Sequence, residues 1–216
     1  SNCTDHAVSA AKQAEAIGAD GLLAVTPYYN KCTQNGLYAY YKSICEAVKI
    51  PVIAYNVPSR TGVNIQPATM ARIAEIPNMA GIKDAGGNMS QTMEIFRSIR
   101  GKCDLYSGED ALNFPILAVG GSGVISVLSN VVPADVKKLY TLIKEGRTEE
   151  ACALQDKLLP LSQACFLEVN PIPAKAAMNL LGFDAGTPRA PLSEIEPNNK
   201  EKLRKIMADY GLEIKA

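Results

Sequence analysis

Short apolar runs alternate with longer segments of helical periodicity in the first part of the chain, and this alternation limits the folds open to it. The runs lie at residues 21–26, 51–55, 80–83, 104–108 and 120–127. Runs of this kind are typical of parallel strands covered on both faces, and the segments between them are long enough for crossover helices. The pattern predicts an α/β fold with a parallel sheet, either a (β/α) barrel or a doubly wound sheet.

Helical segments follow the apolar runs and then dominate the end of the chain. They are predicted at residues 4–17, 36–49, 67–76, 89–100, 110–118, 134–145, 149–166, 171–181 and 198–210. We expect Thr4 or Asp5 to cap the first helix. Only five strands are predicted, whereas a closed eight-stranded barrel takes about 250 residues. If the fold is a barrel, the chain is therefore short by about three β/α units.

Charge and composition argue against several classes of function. The 216 residues carry no formal net charge, so no long-range field favours nucleic acid or an acidic membrane surface. No apolar stretch reaches the ~18 residues that a membrane helix needs, and the first residues lack the pattern of a secretory signal. The six cysteines have no metal-ligand spacing and His6 is the only histidine, which argues against a metal site. Scattered thiols favour a reducing cytosol and predict a cytoplasmic protein.

Three reactive side chains are predicted to converge where the strands end. Lys83 ends one strand, Tyr55 ends the strand before it, and Arg60 lies in the loop that follows Tyr55. Because sites in parallel α/β folds lie at the carboxyl ends of strands, we expect the three to share one rim. Each also has an ordinary structural explanation, as a lysine that extends to solvent, a core tyrosine and a surface charge.

Together, these residue types suit the chemistry of a carbonyl substrate. Desolvation lowers the pKa of an ammonium group, and the free amine attacks a ketone to form an imine. A tyrosine can move protons during that sequence, and a guanidinium can hold a carboxylate. The combination predicts an enamine-forming lyase or aldolase that acts on a 2-oxo acid and needs no metal or organic cofactor.

Six motifs occur along the chain in a fixed order. They read VTPYYN at 25–30, YNVPSRTG at 55–62, MAGIKDA at 79–85, YSGED at 106–110, GVISV at 123–127 and NPIP at 170–173. In order and spacing they resemble the dihydrodipicolinate synthase family over essentially the whole chain. The resemblance implies a (β/α)8 TIM barrel of which this chain carries strands 4–8. It implies an incomplete barrel over residues 1–132, and the last barrel helix with a C-terminal helical region over residues 133–216. It also implies condensation of pyruvate with aspartate 4-semialdehyde, in the diaminopimelate branch of lysine biosynthesis.

The resemblance assigns roles position by position. Lys83 is similar to the Schiff-base lysine that holds pyruvate, and Tyr55 to the proton donor and acceptor. Tyr29 is similar to a relay tyrosine that reaches a neighbouring subunit's site, which implies a homo-oligomer, either a dimer or a tetramer. Arg60 is similar to the residue that recruits the carboxylate of the semialdehyde. The other substrate-binding positions that the resemblance implies are Gly108, Ile125, through its backbone, and Asn170.

The chain departs from the family in two places. It lacks the first three β/α units, which include a Gly-Thr-Thr-Gly-Glu loop whose threonines bind the pyruvate carboxylate. At the family's lysine feedback site, Asn2 and Tyr28 match, whereas His6 stands where some lysine-sensitive members carry a carboxylate. An imidazole does not pair with an ammonium group as a carboxylate does, so the alternative for His6 is an exposed position in the first turn of a helix.

Two other functions stay open at this stage. One is an N-acetylneuraminate or 2-keto-3-deoxy-sugar-acid lyase of the same superfamily, which shares the lysine and the tyrosine. Arg60 discriminates between the two, because the sugar-acid lyases tend not to carry an arginine there. The other is a non-catalytic fragment or self-association module, since the lack of three strands leaves two sheet edges unpaired.

Overall fold

The computed structural model describes residues 1–215 and contains a five-stranded parallel sheet. In chain order, which is also the order in the sheet, the strands are β1 (Leu22–Val25), β2 (Val52–Asn56), β3 (Met79–Asp84), β4 (Asp104–Ser107) and β5 (Gly123–Val124). Each strand pairs in parallel with the next. The predicted α/β class with a parallel sheet is therefore confirmed.

Helices occupy most of the chain between and after the strands. They are α1 (Thr4–Ala16), α2 (Gln34–Ala47), α3 (Pro58–Thr61), α4 (Pro67–Ile73), α5 (Met89–Ile99), α6 (Asn113–Ala118), α7 (Pro133–Lys144), α8 (Thr148–Ala164), α9 (Ile172–Leu180) and α10 (Pro197–Tyr210). Two 3-10 turns lie at Asp110–Leu112 and Leu128–Asn130. The long helices lie within a few residues of their predicted bounds, whereas the short helix α3 was not predicted.

The chain divides into two compact units. The first comprises Ser1–Glu109 and Ile116–Ile125, and the second comprises Asp110–Pro115 and the chain from Ser126 onward. The first unit contains the whole sheet, and the second contains helices α7 to α10. The boundary expected after residue 132 stays a prediction.

Only one face of the sheet is deeply buried. Every second residue of β2, beginning with Val52, is buried, and the residues between them are half-buried. On the other face Leu23 is 48% exposed. The cover on both faces that the apolar runs predicted is wrong for this sheet, because alternate residues of its strands stay partly open to solvent. Fully buried apolar residues of α2, α4 and α5 complete the core of this unit, among them Leu37, Tyr41, Ile44, Met70, Ile73, Ile95 and Ile99.

Side-chain caps begin two of the helices that flank the site. The Thr33 hydroxyl accepts a hydrogen bond from a backbone N–H at the start of α2, and Asn88 does the same for α5, as capping residues do. The predicted cap of α1 is wrong. Thr4 is already the first helical residue, and Cys3 before it provides no side-chain cap.

The last apolar run forms a much shorter strand than predicted. The run 120–127 contributes only Gly123–Val124 to β5. Within the second unit, the Asp110 carboxylate accepts hydrogen bonds from the backbone N–H groups of Val127 and Leu128, both at 2.9 Å. Because these N–H groups donate to the carboxylate, they do not extend the strand, and a 3-10 turn follows at Leu128–Asn130. Across residues 1–215, no helix is long and apolar enough to cross a membrane.

The start of β3 depends on a single asparagine. Asn78 has a positive φ of 61°. Its side-chain amide nitrogen donates to the carbonyl groups of Cys45, Val48 and Ile50 at 3.0–3.2 Å. Its backbone carbonyl accepts from the Val52 N–H at 2.9 Å. One side chain thus fixes the end of α2 against the starts of β2 and β3.

We expect Asn78→Gly to lower the free energy of unfolding by about 1–2 kcal/mol, because it removes the side-chain hydrogen bonds. Asn78→Ala should cost about 1 kcal/mol more, since alanine disfavours the left-handed backbone that glycine accepts. Urea unfolding of both variants measures the difference. Equal stability of the two would show that the positive φ contributes nothing.

Candidate active site

Lys83 and Tyr55 lie side by side on neighbouring strands. Tyr55 of β2 is in register with Lys83 of β3, which is in register with Tyr106 of β4. Residues in register on parallel strands point to the same face of a sheet. The Lys83 ammonium lies 4.1 Å from the centroid of the Tyr55 ring, a distance typical of a cation–π contact. The structure therefore brings together two of the three residues that the sequence placed at this rim.

Gly108 makes room for the aliphatic stem of Lys83. A Cβ atom at residue 108 would lie 2.9 Å from both Cγ and Cε of the lysine and 3.0 Å from the Ala85 Cβ. The Gly108 N–H also donates to the Asp84 carbonyl at 2.8 Å, which holds the backbone in this position. A glycine is thus needed here to let the lysine extend, and its role in lining a substrate pocket stays a prediction.

Arg60 lies on α3, the single helical turn that follows β2. Pro58 begins this turn and Gly62, in the left-handed conformation, ends it, as is common for helix termini. The Arg60 side chain is exposed, and its charge acts on Tyr55. Burial raises the pKa of the Tyr55 phenol above its ordinary value of 10.0, the positive Arg60 opposes that rise, and the negative Glu109 adds to it.

Tyr29 lies in solvent in a strained conformation. Its φ is +71°, its side chain is 86% exposed, and that of Tyr28 is 43% exposed. Positive φ is unusual for a bulky residue and is concentrated at functional sites. Thr61 holds the loop, because its hydroxyl accepts from Thr26 Oγ1 at 3.0 Å and its carbonyl accepts from Tyr29 N–H at 3.3 Å.

A buried polar network lies directly behind the lysine–tyrosine pair. Asn56 and Asp84 each follow a site residue on its strand, and they are 0% and 2% exposed. Asn56 Nδ2 donates to Asp84 Oδ1 at 3.0 Å, the Thr92 hydroxyl donates to Asp84 Oδ2 at 2.6 Å, and the Gly86 N–H donates to Oδ1 at 3.1 Å. The Asp84 side chain thus accepts hydrogen bonds from β2, from the loop after β3 and from α5.

The same network extends to the loop after α3. The Asn56 amide also donates to the Asn64 side chain at 3.0 Å, and its oxygen accepts from Ile65 N–H at 3.0 Å. Asn64 in turn exchanges hydrogen bonds with Gln91 on α5. Sequence reasoning missed Asn56, Asp84 and Tyr106. For Asn56 and Asp84 the available signal was a polar residue directly after each strand-end site residue.

The other predicted site residues are more dispersed. Ile125 lies one residue beyond β5 instead of inside a strand, and its N–H donates to the Ser107 carbonyl at 2.8 Å. Asn170, which a cis peptide bond joins to Pro171, belongs to the second unit. Their roles in substrate binding stay predictions.

Two of the predicted feedback residues, Asn2 and His6, lie at the start of the chain. Asn2 precedes α1 and is half-buried, and His6 is exposed in the first turn of α1. Burial, with smaller contributions from Tyr28 and Cys32, raises the pKa of Tyr40 to about 12. Tyr40 donates to the carbonyl groups of Ser1 and Val25 at 3.1 and 3.3 Å. A lysine site at Asn2, His6 and Tyr28 stays a prediction.

The described residues hold no group of three or more histidine, cysteine, aspartate or glutamate side chains that could bind a metal ion. The fold and the site define a parallel α/β protein with a lysine and a tyrosine in contact at the ends of adjacent strands.

Comparisons with known proteins extend this description to a family. Residues 1–210 match the dihydrodipicolinate synthetase family. The 4-hydroxy-tetrahydrodipicolinate synthase of Caldicellulosiruptor bescii is 51% identical over 215 residues, which cover 100% of this chain and 72% of that protein. The chain therefore belongs to the dihydrodipicolinate synthetase family, an enzyme family of class I aldolase-type lyases.

Solved structures agree with the sequence comparison. The dihydrodipicolinate synthase of Thermotoga maritima is 43% identical and superposes with a TM-score of 0.96, over 98% of this chain and 73% of that one. The enzyme of Cyanidioschyzon merolae, solved with lysine bound, is 39% identical with a TM-score of 0.95, over 98% of this chain and 72% of that one.

The charges around Tyr55 predict opposite effects of two substitutions on the pKa of its phenol. Arg60→Gln removes a positive charge that stabilises the phenolate, so the pKa should rise. Glu109→Gln removes a negative charge that opposes the phenolate, so the pKa should fall. Phenolate absorbance, recorded against pH and corrected with Tyr55→Phe in each background, measures both shifts. Shifts of the same sign in the two variants would contradict this account.

The buried network predicts a graded loss of stability at residue 84. Asp84→Ala should lower the free energy of unfolding by about 2–4 kcal/mol, because it leaves buried donors without an acceptor. Asp84→Asn should cost only about 1–2 kcal/mol, since the amide retains one acceptor oxygen. Urea unfolding measures both values, with exposed Asp20→Ala as the control. An Asp84→Ala variant as stable as the control would show that the network is not needed.

Proposed function

We propose that this chain condenses pyruvate with aspartate 4-semialdehyde through an imine on Lys83, as a 4-hydroxy-tetrahydrodipicolinate synthase of lysine and diaminopimelate biosynthesis. The observation that carries the proposal is the 4.1 Å contact between the Lys83 ammonium and the Tyr55 ring at the ends of β3 and β2. Membership of the family supports it.

The reaction begins with the unprotonated Lys83 amine, which attacks the ketone carbon of pyruvate. Water leaves and a protonated imine forms, which then withdraws electrons from the methyl group. Loss of a methyl proton gives an enamine, whose carbon attacks the aldehyde carbon of the second substrate. Tyr55, half-buried beside the lysine, delivers and accepts the protons of these steps. Each step is covalent or acid–base chemistry that needs no metal or organic cofactor.

Arg60 holds the carboxylate of the semialdehyde in this proposal. Its exposed guanidinium, on the turn after β2, has the planar donor pattern that suits a carboxylate. Gly108 and the Ile125 backbone line the pyruvate pocket, and Asn170 is a further substrate contact. The packing of the Lys83 stem against Gly108 supports the first of these assignments.

We infer that the five strands are strands 4–8 of an eight-stranded barrel. Two observations support this: the chain spans about 73% of the structures that it matches, and one face of its sheet is partly exposed. Exposed, strained Tyr29 supports a homo-oligomer in which this tyrosine reaches a neighbouring subunit's site. The free cysteines of the described chain support a cytoplasmic location.

Trapping of the imine tests the proposal directly. Borohydride reduction in the presence of pyruvate should add the mass of pyruvic acid less one oxygen atom to the peptide that contains Lys83. Lys83→Arg should abolish this adduct, because a guanidinium does not form an imine under these conditions, whereas the control Lys42→Arg should retain it. Tyr55→Phe should still form the adduct but condense the substrates about 10²–10⁴-fold more slowly.

Each other outcome of this experiment contradicts part of the proposal. An unmodified Lys83 under saturating pyruvate would refute the imine. Formation of the adduct without turnover of the semialdehyde would favour a non-catalytic fragment or self-association module. Cleavage of N-acetylneuraminate or a 2-keto-3-deoxy sugar acid, with no effect of Arg60→Gln, would favour the sugar-acid lyases.

A further inference from the structure

A cationic cavity lies in the second unit and contains none of the predicted site residues. Its volume is about 350 Å³, and α9, the segment after it and α10 line it. Four cationic side chains and one carboxylate contribute to the lining: Lys175, Lys200, Arg204, Lys215 and Glu194. The formal charge around the cavity is therefore strongly positive, in a chain whose net charge is zero.

None of the four cations forms an ion pair with a carboxylate in the described part of the chain. Within residues 1–215, the ion pairs lie elsewhere, on Lys42, Lys102 and Arg147. Like charges that converge on one small volume repel one another, and a bound anion removes that repulsion. The cavity thus has the electrostatic character of an anion site.

The cavity is formed by well-anchored chain segments. The Lys215 N–H donates to the Leu180 carbonyl at 2.8 Å. A Cβ atom at Gly182 would lie 2.5 Å from Cδ of Lys215, so the lysine stem passes directly over this glycine. The cation at the end of the described chain is therefore held over the cavity by both its backbone and its stem.

The segment after α9 is anchored in the same way. Asn179 accepts from the Ala185 N–H at 2.9 Å and donates to the Gly186 carbonyl at 3.1 Å. The Lys175 ammonium donates to the Ala185 carbonyl. A cavity whose walls are fixed before binding loses less entropy when a ligand enters it.

We propose that this cavity binds a short-chain dicarboxylate. Arg204, part-buried on α10, offers a planar fork for one carboxylate, and the surrounding lysines offer ammonium donors for the other. Buried Ile172 and Leu180 supply apolar surface for the methylene groups between them. The volume is at the lower end of the range for ligand sites and fits a small molecule.

Calorimetric titration at fixed ionic strength tests this site. Succinate should bind saturably and at least ~10-fold more tightly than butyrate, which has one carboxylate on a chain of the same length, or inorganic phosphate. Arg204→Gln and, separately, Lys200→Gln should each weaken succinate binding about 10-fold. Lys205→Gln, an exposed position on the same helix outside the cavity, should change it less than ~2-fold.

A measurement of stability keeps the result interpretable. Thermal unfolding of each variant shows whether it is folded. If Arg204→Gln does not fold, Lys200→Gln, at an exposed position, still tests the site. Absence of saturable binding, an equal effect of Lys205→Gln, or phosphate binding as tight as that of succinate would overturn the proposal. The site is measured by binding alone, so its failure is distinguishable from failure of the chemistry at Lys83.

Discussion

The hydrogen bond between Asn56 and Asp84 holds the ends of β2 and β3 together, and the geometry of the candidate site depends on it. A carboxylate as buried as that of Asp84 would cost several kcal/mol without partners. Donors from Asn56, Gly86 and Thr92 surround it, and hydrogen bonds to a charged group contribute about 1.5–3 kcal/mol each. The three donors together stabilise the buried Asp84 side chain. The strand ends and the loop after β3 are therefore fixed as one unit.

The position of the reactive pair follows from this constraint. Side chains alternate along a strand, so burial of Asn56 and Asp84 on one face directs Tyr55 and Lys83 to the other. The parallel register then places the tyrosine beside the lysine. A slip of one residue in β3 would put Lys83 into the core and expose Asp84, and a slip in β2 would do the same to Tyr55 and Asn56. The polar network thus selects the register that brings the two reactive groups into contact.

The local features of this site could be predicted from the sequence, whereas its long-range features could not. Strand-end positions for Lys83 and Tyr55 follow from apolar runs and from the rule that sites lie at carboxyl ends of strands. Tyr106 was missed because its place beside Lys83 depends on the register between β3 and β4, which the apolar runs do not determine. The prediction that Ile125 lies inside a strand was wrong. The backbone N–H of Val127 donates to the Asp110 carboxylate, and β5 ends at Val124.

Position and acidity at this site are controlled by different parts of the chain. The strands fix the ring of Tyr55, and its burial is the largest cause of its raised pKa. The two charges that adjust this pKa, Arg60 and Glu109, come from the segments after β2 and β4 and act with opposite sign. Changes in those segments can therefore alter the acidity of the phenol without moving it away from Lys83. In this sheet the strands thus determine which groups are in contact, and the segments after the strands adjust the pKa of the phenol.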